Sequence, residues 1–382
     1  MVTHIYVHRV YVILILQEYS EKDMNKMATK LPPLPSISEI VRMYKLKARK
    51  QLSQNFLLDM NLTKKIVKAA GNISDGYVCE IGPGPGGISR SILEKDVRGL
   101  AVIEKDKRFI PSLQMLGDAG GGKMKIYHGD ILQYDMDDVF PSEIKNKWED
   151  DPPNLHLIGN LPFNVSTPLI IKLLHAISER RGPWKHGRVN LTLTFQEEVG
   201  YRMSVPPGDK ERCRLSVMCQ HLCHVDTKFI IPGSAFVPAP KVNVAVVTFN
   251  PLKKPLISQP FKLVEKVARH TFHYKQKMVR KGIETLFPPD MPELTAKMFE
   301  LSEVNPTLKP INLTNEEVGR LCHVYNYICE QHPYILSYDY RSPQMKDFVR
   351  KARQLEMDKI EQQIILGPSE MTESIIAPEN NT

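Results

Sequence analysis

The chain lacks any long apolar run. The stretch Tyr11 to Leu16 is strongly apolar but far shorter than the roughly 20 residues a spanning helix needs, so no membrane partner is expected. Its flanks carry little positive charge and no small-residue cleavage site follows, which argues against a secretory signal. Cysteine is sparse: Cys79, Cys213, Cys219, Cys223, Cys322 and Cys329 show no framework spacing, and a reduced compartment follows. Cys219-x-x-x-Cys223 with His221 and His224 matches no standard zinc spacing and would have to recruit Cys213 as well, so no metal is expected. Acid is also scarce in two segments. Residues 24–50 carry seven Lys or Arg (Lys26, Lys30, Arg42, Lys45, Lys47, Arg49, Lys50) against Glu39 alone. Residues 266–281 carry six (Lys266, Arg269, Lys275, Lys277, Arg280, Lys281) and no acid.

What is present is a 382-residue chain of net charge +8 and pI near 9.0, long enough for one large or two ordinary cores. A polyanionic partner fits that balance, although a basic protein without nucleic acid fits it equally well. In 24–50, Ile37, Ile40, Val41 and Tyr44 fall at helical spacing. A basic, acid-poor amphipathic helix suits a mitochondrial presequence, or a surface helix of the mature protein. Met24 and Met27 are alternative starts.

Further on, strands alternate with helices. Asp59 reads as the cap of a helix with Leu62, Ile66, Val67 and Ala70 on one face and Gly71 as its stop. Strands are expected at Tyr77–Ile81, Gly99–Ile103, Met124–His128, Leu155–Gly159, Val189–Phe195 and Val242–Phe249. The first runs into Gly82-Pro83-Gly84-Pro85-Gly86-Gly87 and then a helix, the context that lifts a glycine motif above chance. Pro83 and Pro85 remove two amide donors, which weakens a pyrophosphate cradle. Glu104, at the end of the second strand and roughly 20 residues past Gly82, is placed to take both hydroxyls of a ribose. Asp130, after the third, is placed to accept from an adenine amino group. The fourth strand ends in Asn160-Leu161-Pro162-Phe163, ahead of a helix expected to start at Thr167-Pro168.

A hydride-transfer enzyme needs His, Tyr or Lys at the reacting carbon, and this tetrapeptide has none. It suits an exocyclic amine, with the Asn160 amide oxygen and a backbone carbonyl accepting the two amino hydrogens and Phe163 stacking on the ring. Pro232, Pro238 and Pro240 stiffen a loop holding Phe236, either a second stacking wall or a core residue. After Pro251 the pattern turns helical, with Phe261, Val264, Val267, Ala268 and Phe272 as a buried stripe. The acid-free segment 266–281, with Phe272 and Tyr274 interleaved, is the candidate phosphate-contacting surface, or a solvated basic face.

Gln54-Asn55-Phe56-Leu57, Glu80-Ile81-Gly82-Pro83-Gly84-Pro85-Gly86, Asn160-Leu161-Pro162-Phe163 and Phe236-Val237-Pro238-Ala239-Pro240-Lys241-Val242 together resemble, in order and separation, the motif series of ribosomal RNA adenine dimethyltransferases of the KsgA type. The resemblance spans roughly residues 30–340 and is nearest to the mitochondrial branch. It implies an α/β fold: a Rossmann-like, seven-stranded S-adenosylmethionine-dependent methyltransferase domain with a small C-terminal helical domain. It implies a cofactor site from Asn55, Leu57, Gly82, Glu104, Lys105, Asp130, Ile131 and Asn160, and a target base held by Asn160, Leu161, Pro162, Phe163 and Phe236. The implied reaction is N6,N6-dimethylation of two adjacent adenosines in a 3′-terminal hairpin loop of mitochondrial small-subunit (12S) rRNA, on the assembling subunit in the matrix. The alternative is a transcription cofactor using the scaffold to bind DNA and mitochondrial RNA polymerase; a nicotinamide enzyme is the third reading. The expected organisation is a leader at 1–30 (disordered or a presequence), a methyltransferase domain at 31–250, a helical RNA-binding domain at 251–340 and a charged tail at 341–382, largely disordered but with a candidate helix at 345–362, in a monomer.

Overall fold

The computed structural model describes residues 31–49 and 54–366; the leader expected at 1–30 lies outside them. They fall into two compact units. The first comprises the described residues up to Pro206 together with Leu215–Pro255, and the second Pro207–Arg214 with the described residues from Leu256 onward.

The first unit opens with helix α1 (Ile37–Met43), capped by Ser36 and Glu39 in a reciprocal capping box. A seven-stranded sheet follows: β2 (Tyr77–Ile81), β3 (Gly99–Glu104), β4 (Met124–His128), β5 (Leu155–Gly159), β6 (Asn190–Gln196), β7 (Cys223–Ile231) and β9 (Val244–Pro251), in the order β4-β3-β2-β5-β6-β9-β7. Strands β2 to β6 run parallel and β9 is antiparallel to both β6 and β7. Central strands of such sheets are covered on both faces and read as continuous apolar runs; every residue of β5 is buried, His156 included. A separate two-stranded ladder pairs β1 (Phe56–Leu57) with β8 (Phe236–Val237). The helices of this unit are α2 (Met60–Ala69), α3 (Gly87–Leu93), α4 (Ile110–Ala119), α5 (Phe163–Ser178), α6 (Glu197–Ser204) and α7 (Arg214–Gln220), whose first residue belongs to the second unit.

The topology sets where a ligand goes. Strand β2 lies between β3 and β5, so the chain order reverses there, and ligands of open α/β sheets sit beyond the carboxyl ends at that reversal. The β2–β5 register pairs Ile81 with Gly159. Gly82 and Asn160 therefore leave the sheet side by side. A Cβ at Gly159 would come 3.0 Å from the Ile81 carbonyl oxygen, so this close approach needs glycine.

Two expectations change, and two open readings are decided. The segment 36–44 is built into the first unit: Ile37 and Ile40 are 1% and 2% exposed, and the Arg90 guanidinium donates to the Pro35 carbonyl at 2.6 Å. It is a helix of the folded domain and not a detachable presequence. Helix α5 starts at Phe163 with Pro162 as its cap, four residues ahead of Thr167. Pro168 thus lies inside the helix, where it has no N–H for the Asn164 carbonyl. The boundary expected at 250 falls after Pro255, because Leu252 N donates to the Leu222 carbonyl and the Trp148 indole to the carbonyls of Leu252 and Lys253. The charged tail contains a helix over Pro343–Leu366, which covers the candidate helix at 345–362 and runs past it at both ends.

The second unit is helical: α8 (Phe261–Thr271), α9 (Val279–Ile283), α10 (Pro292–Ser302), α11 (Asn315–Gln331), α12 (Pro333–Ser337) and α13 (Pro343–Leu366). Residues 207–214 join it through hydrogen bonds. Gly208 N donates to the Ile311 carbonyl, and the fully buried Arg212 donates to the Leu313 carbonyl and the Asn315 amide oxygen. A buried guanidinium needs such partners. Among the described residues, no helix is long and apolar enough to cross a membrane.

Candidate active site

The glycine loop is shaped by three residues in the left-handed region, Gly82, Gly84 and Gly86, at φ 66°, 53° and 88°. A side chain at any of them would be strained. Three of the loop's amides are used internally. Gly82 N donates to the Ile103 carbonyl at 2.9 Å, Gly84 N to Glu104 Oε2 at 3.0 Å, and Gly86 N to the Pro83 carbonyl at 3.0 Å. Pro83 and Pro85 have none to give. Those bonds and the two prolines take the turn ahead of Gly87 out of use as a source of amide donors, which weakens a pyrophosphate cradle there.

Glu104 closes one end of a cavity. It is 6% exposed, and besides Gly84 N it accepts from Asp106 N through Oε1 at 2.7 Å. Burial raises its carboxyl above the usual range, and the backbone bonds from Asp106 and Gly84 partly offset the rise. Each oxygen keeps a lone pair for a further donor, the arrangement a ribose diol needs.

The opposite end of the cavity is Asn160 to Phe163, and Asn55, Phe56, Leu57, Glu80 and Phe236 complete its lining with the glycine loop. The β1–β8 ladder pairs Leu57 with Phe236 and Phe56 with Val237, so two motifs about 180 residues apart in sequence become one wall. Phe236 is 3% exposed and also belongs to the apolar core; it packs and lines the cavity at once. Phe163 is half-buried. Gln54 is strapped beside the wall, giving Nε2 to Asp106 at 3.1 Å and taking the Arg49 amide at 3.0 Å. Burial alone would raise the Asp106 carboxyl, but hydrogen bonds from Arg108 and Gln54 outweigh it and bring it down to about 2.

Three expected cofactor residues lie outside this lining. Lys105 Nζ pairs with Asp130 Oδ2 at 2.6 Å, and the other Asp130 oxygen caps Leu132 N at 3.1 Å. The Lys105 bond holds the Asp130 carboxyl below its usual range. Ile131 is buried, and its carbonyl accepts from Lys172 Nζ at 2.8 Å.

Two residues of the site were missed in the sequence. Glu80 is 1% exposed and accepts from the buried Ser89 hydroxyl. Burial pushes its carboxyl up to about 8, and neighbouring Glu104 adds to the rise. The second is Thr194 on β6. It is fully buried, with Oγ1 2.9 Å from Asn160 Oδ1 and 3.2 Å from Leu161 N. The available signal was a hydroxyl in an otherwise apolar central strand, which must find a partner.

The Glu80 shift carries a pH prediction. Its folded value lies above the unfolded one, so the stabilisation it brings is present in full below about 4.5 and is lost as pH rises through about 8. Glu80→Gln has no charge to bury. Its melting temperature should match wild type near pH 4.5 and exceed it by a widening margin up to pH 9. A margin that does not vary with pH would show the carboxyl to be ionised throughout.

In the second unit the six basic candidates separate. Lys266 does not belong to an exposed face: its Nζ donates to the carbonyls of Ile335, Leu336 and Tyr338 at 3.3, 2.7 and 2.9 Å, tying down the end of α12, and burial lowers it to about 8. Arg280 and Lys281 are exposed and both pair with Glu284, an acid just past the acid-free segment. Arg269 and Lys277 are exposed and Lys275 half-exposed, beside exposed Tyr274. Among the described residues no group of three His, Cys, Asp or Glu could hold a metal.

The model of the family described as ribosomal RNA adenine dimethylase matches residues 45–329, a span that includes all four motifs and most of each unit. The chain belongs to that family. Members of the dimethylase family take methyl groups from S-adenosylmethionine, and the cavity fits that cofactor: a buried carboxylate for the ribose, a glycine turn whose Gly82, Gly84 and Gly86 amides are already bonded, and Asn160 in the same lining. The chain is 54% identical over 318 residues, 83% of this chain and 92% of the other, to a human protein named mitochondrial dimethyladenosine transferase 1. It is 52% identical over 334 residues, 87% and 97% of the two, to the Xenopus laevis protein of that name. In fold it is similar to a dimethyladenosine transferase from Plasmodium falciparum, with TM-score 0.55, 23% identity, and 70% of this chain and 96% of that one covered. The protein is thus an S-adenosylmethionine-dependent rRNA adenine dimethyltransferase on a Rossmann-like α/β fold.

Proposed function

We propose that this enzyme dimethylates N6 of two adjacent adenosines in a 3′-terminal hairpin loop of the small-subunit (12S) rRNA of mitochondria, acting in the matrix on the assembling subunit. The mitochondrial assignment rests on what the relatives are named. The chemistry rests on one observation: Asn160 and Glu104 face a single cavity, and the amides of Gly82, Gly84 and Gly86 between them in the lining loop are spent on internal bonds. When bound, S-adenosylmethionine supplies a methyl group on a positively charged sulfur. Glu104 holds the ribose. The Asn160 amide oxygen and a backbone carbonyl of the same segment accept the two amino hydrogens, which aims the nitrogen lone pair out of the ring's conjugation. Phe163 and Phe236 form the walls for the base. No strong base is needed, because the nitrogen becomes acidic as it is alkylated. Catalysis is then positioning plus acceptors set where charge develops.

The test is incubation with labelled S-adenosylmethionine and the 12S hairpin, followed by nucleoside analysis. Label in N6,N6-dimethyladenosine at the two loop positions is expected; label elsewhere or none overturns the assignment. The alternative role in transcription, bound to DNA and polymerase, has no residue-level observation of its own.

For RNA affinity, Arg269, Lys275 and Lys277 are the proposed phosphate contacts. Arg269→Ala and Lys277→Ala should each weaken RNA binding and lower the slope of log K against log salt by about 1. Lys266→Ala should leave that slope unchanged and instead cost about 1–3 kcal/mol of stability, because it orphans partly buried carbonyls. Salt titrations and urea melts separate the two effects.

A further inference from the structure

We infer that Thr194 is the positioning residue that sets the reactive orientation of Asn160; the inference rests on the role proposed above for that amide. Strand register puts it there. Gly159 pairs with Leu193 across the parallel β5–β6 ladder, so Asn160 and Thr194 are the next residues on neighbouring strands. Its Oγ1 has two polar neighbours, Leu161 N at 3.2 Å and Asn160 Oδ1 at 2.9 Å. The Leu161 N–H can only donate, so Oγ1 accepts there. The single hydroxyl hydrogen then goes to the amide oxygen.

This fixes which way the Asn160 carboxamide faces. Turned over, its NH2 would donate to Oγ1 and the hydroxyl hydrogen would face a fully buried site with its acceptor removed, which is unfavourable away from water. Held as it is, Oδ1 has one lone pair on Thr194 and one left for the amino group of the target. The same oxygen also pins the Leu161 amide, and with it the plane of the 160–161 peptide. One hydroxyl therefore holds both the side chain and the backbone that are to receive the amine. Thr194 touches neither substrate nor cofactor in this scheme; it acts through Asn160, as a supporting shell does in a precise site.

The alternative is a packing role for the threonine methyl, and the two roles predict opposite mutants. Thr194→Ser keeps the hydroxyl and should retain a rate within about threefold of wild type, whereas Thr194→Val keeps the shape and should lose roughly 10- to 100-fold in kcat, the size expected for a buried hydrogen-bond pair left unmade. Rates are measured with the rRNA hairpin below the melting temperature of every variant. If Thr194→Val does not fold, Thr194→Ala against Thr194→Ser gives the same comparison. A double-mutant cycle completes the test: in an Asn160→Ala background, Thr194→Val should lose clearly less rate than in wild type, only the part due to the Leu161 amide remaining. An active valine variant with an impaired serine variant overturns the inference, as does additivity in the cycle. Asn160→Ala at the wild-type rate overturns the proposed role of Asn160, and this inference with it. An inactive Asn160→Ala beside a fully active Thr194→Val overturns this inference alone.

Discussion

Asn160→Ala is expected to lower the rate of methyl transfer by on the order of 10²–10³, the cost of removing one preorganised polar group from the point where charge develops. The substitution leaves the fold little to repair. Asn160 follows the last residue of β5 and is only half-buried, and Thr194 keeps its bond to Leu161 N. What disappears is the acceptor that holds the amine. The hydroxyl of Thr194 also loses the partner for its hydrogen, so a small fall in stability accompanies the large fall in rate. Single-turnover measurements with saturating cofactor read the chemical step directly. Asn160→Asp keeps an acceptor but adds a charge beside a buried hydroxyl, and should fall between alanine and wild type. An alanine variant within tenfold of wild type would mean that the amine is oriented by the backbone alone.

Glu104→Ala is expected to weaken S-adenosylmethionine binding by about 100-fold or more. Two hydrogen bonds from ribose hydroxyls to a carboxylate are each worth about 1.5–3 kcal/mol, and about 3 kcal/mol is two orders of magnitude in Kd. The substitution also orphans Gly84 N and Asp106 N, which donate to the two carboxylate oxygens. The glycine loop therefore loses its anchor and the cofactor loses its partner in one change. Glu104→Gln keeps one acceptor oxygen and places an NH2 against an amide donor, so it should bind better than alanine but well below wild type. Isothermal titration with S-adenosylmethionine and with its demethylated product tests this. Similar loss for both ligands is expected, because the ribose is common to them, and a loss confined to one would place Glu104 elsewhere.

Much of this site was legible as local pattern. The strands Tyr77–Ile81, Met124–His128 and Leu155–Gly159 match the structure to the residue: the first and third are central strands whose mostly apolar runs stop at turn residues, and the second is an edge strand bounded by glycines at 122 and 129. The Asp59 cap was legible as well, since a cap needs only its own side chain and the amide two residues on. The start of α5 was misjudged because Thr167-Pro168 is a strong local helix-start signal, whereas the chain is already helical from Phe163, with Ser166 N on the Pro162 carbonyl at 3.1 Å. The helix in the tail was legible at 345–362, but not its ends, because charge and weak apolarity describe a solvated helix and an unfolded segment equally well.

The sequence by itself determined the order of strands and helices, the glycine loop, the carboxylate after β3 and the amide after β5, since each depends on residues within a few positions of one another. Tertiary structure decided what those residues face. Leu57 meets Phe236 only because β1 pairs with β8. Thr194 meets Asn160 only because β5 and β6 lie in one register. Lys266 is taken up by three carbonyls some 70 residues away, and Asp130 by Lys105. Partner choice for a buried polar group is a property of the packed chain: the group must satisfy its hydrogen bonds with whatever the fold brings within 3 Å, and sequence distance has no bearing on that.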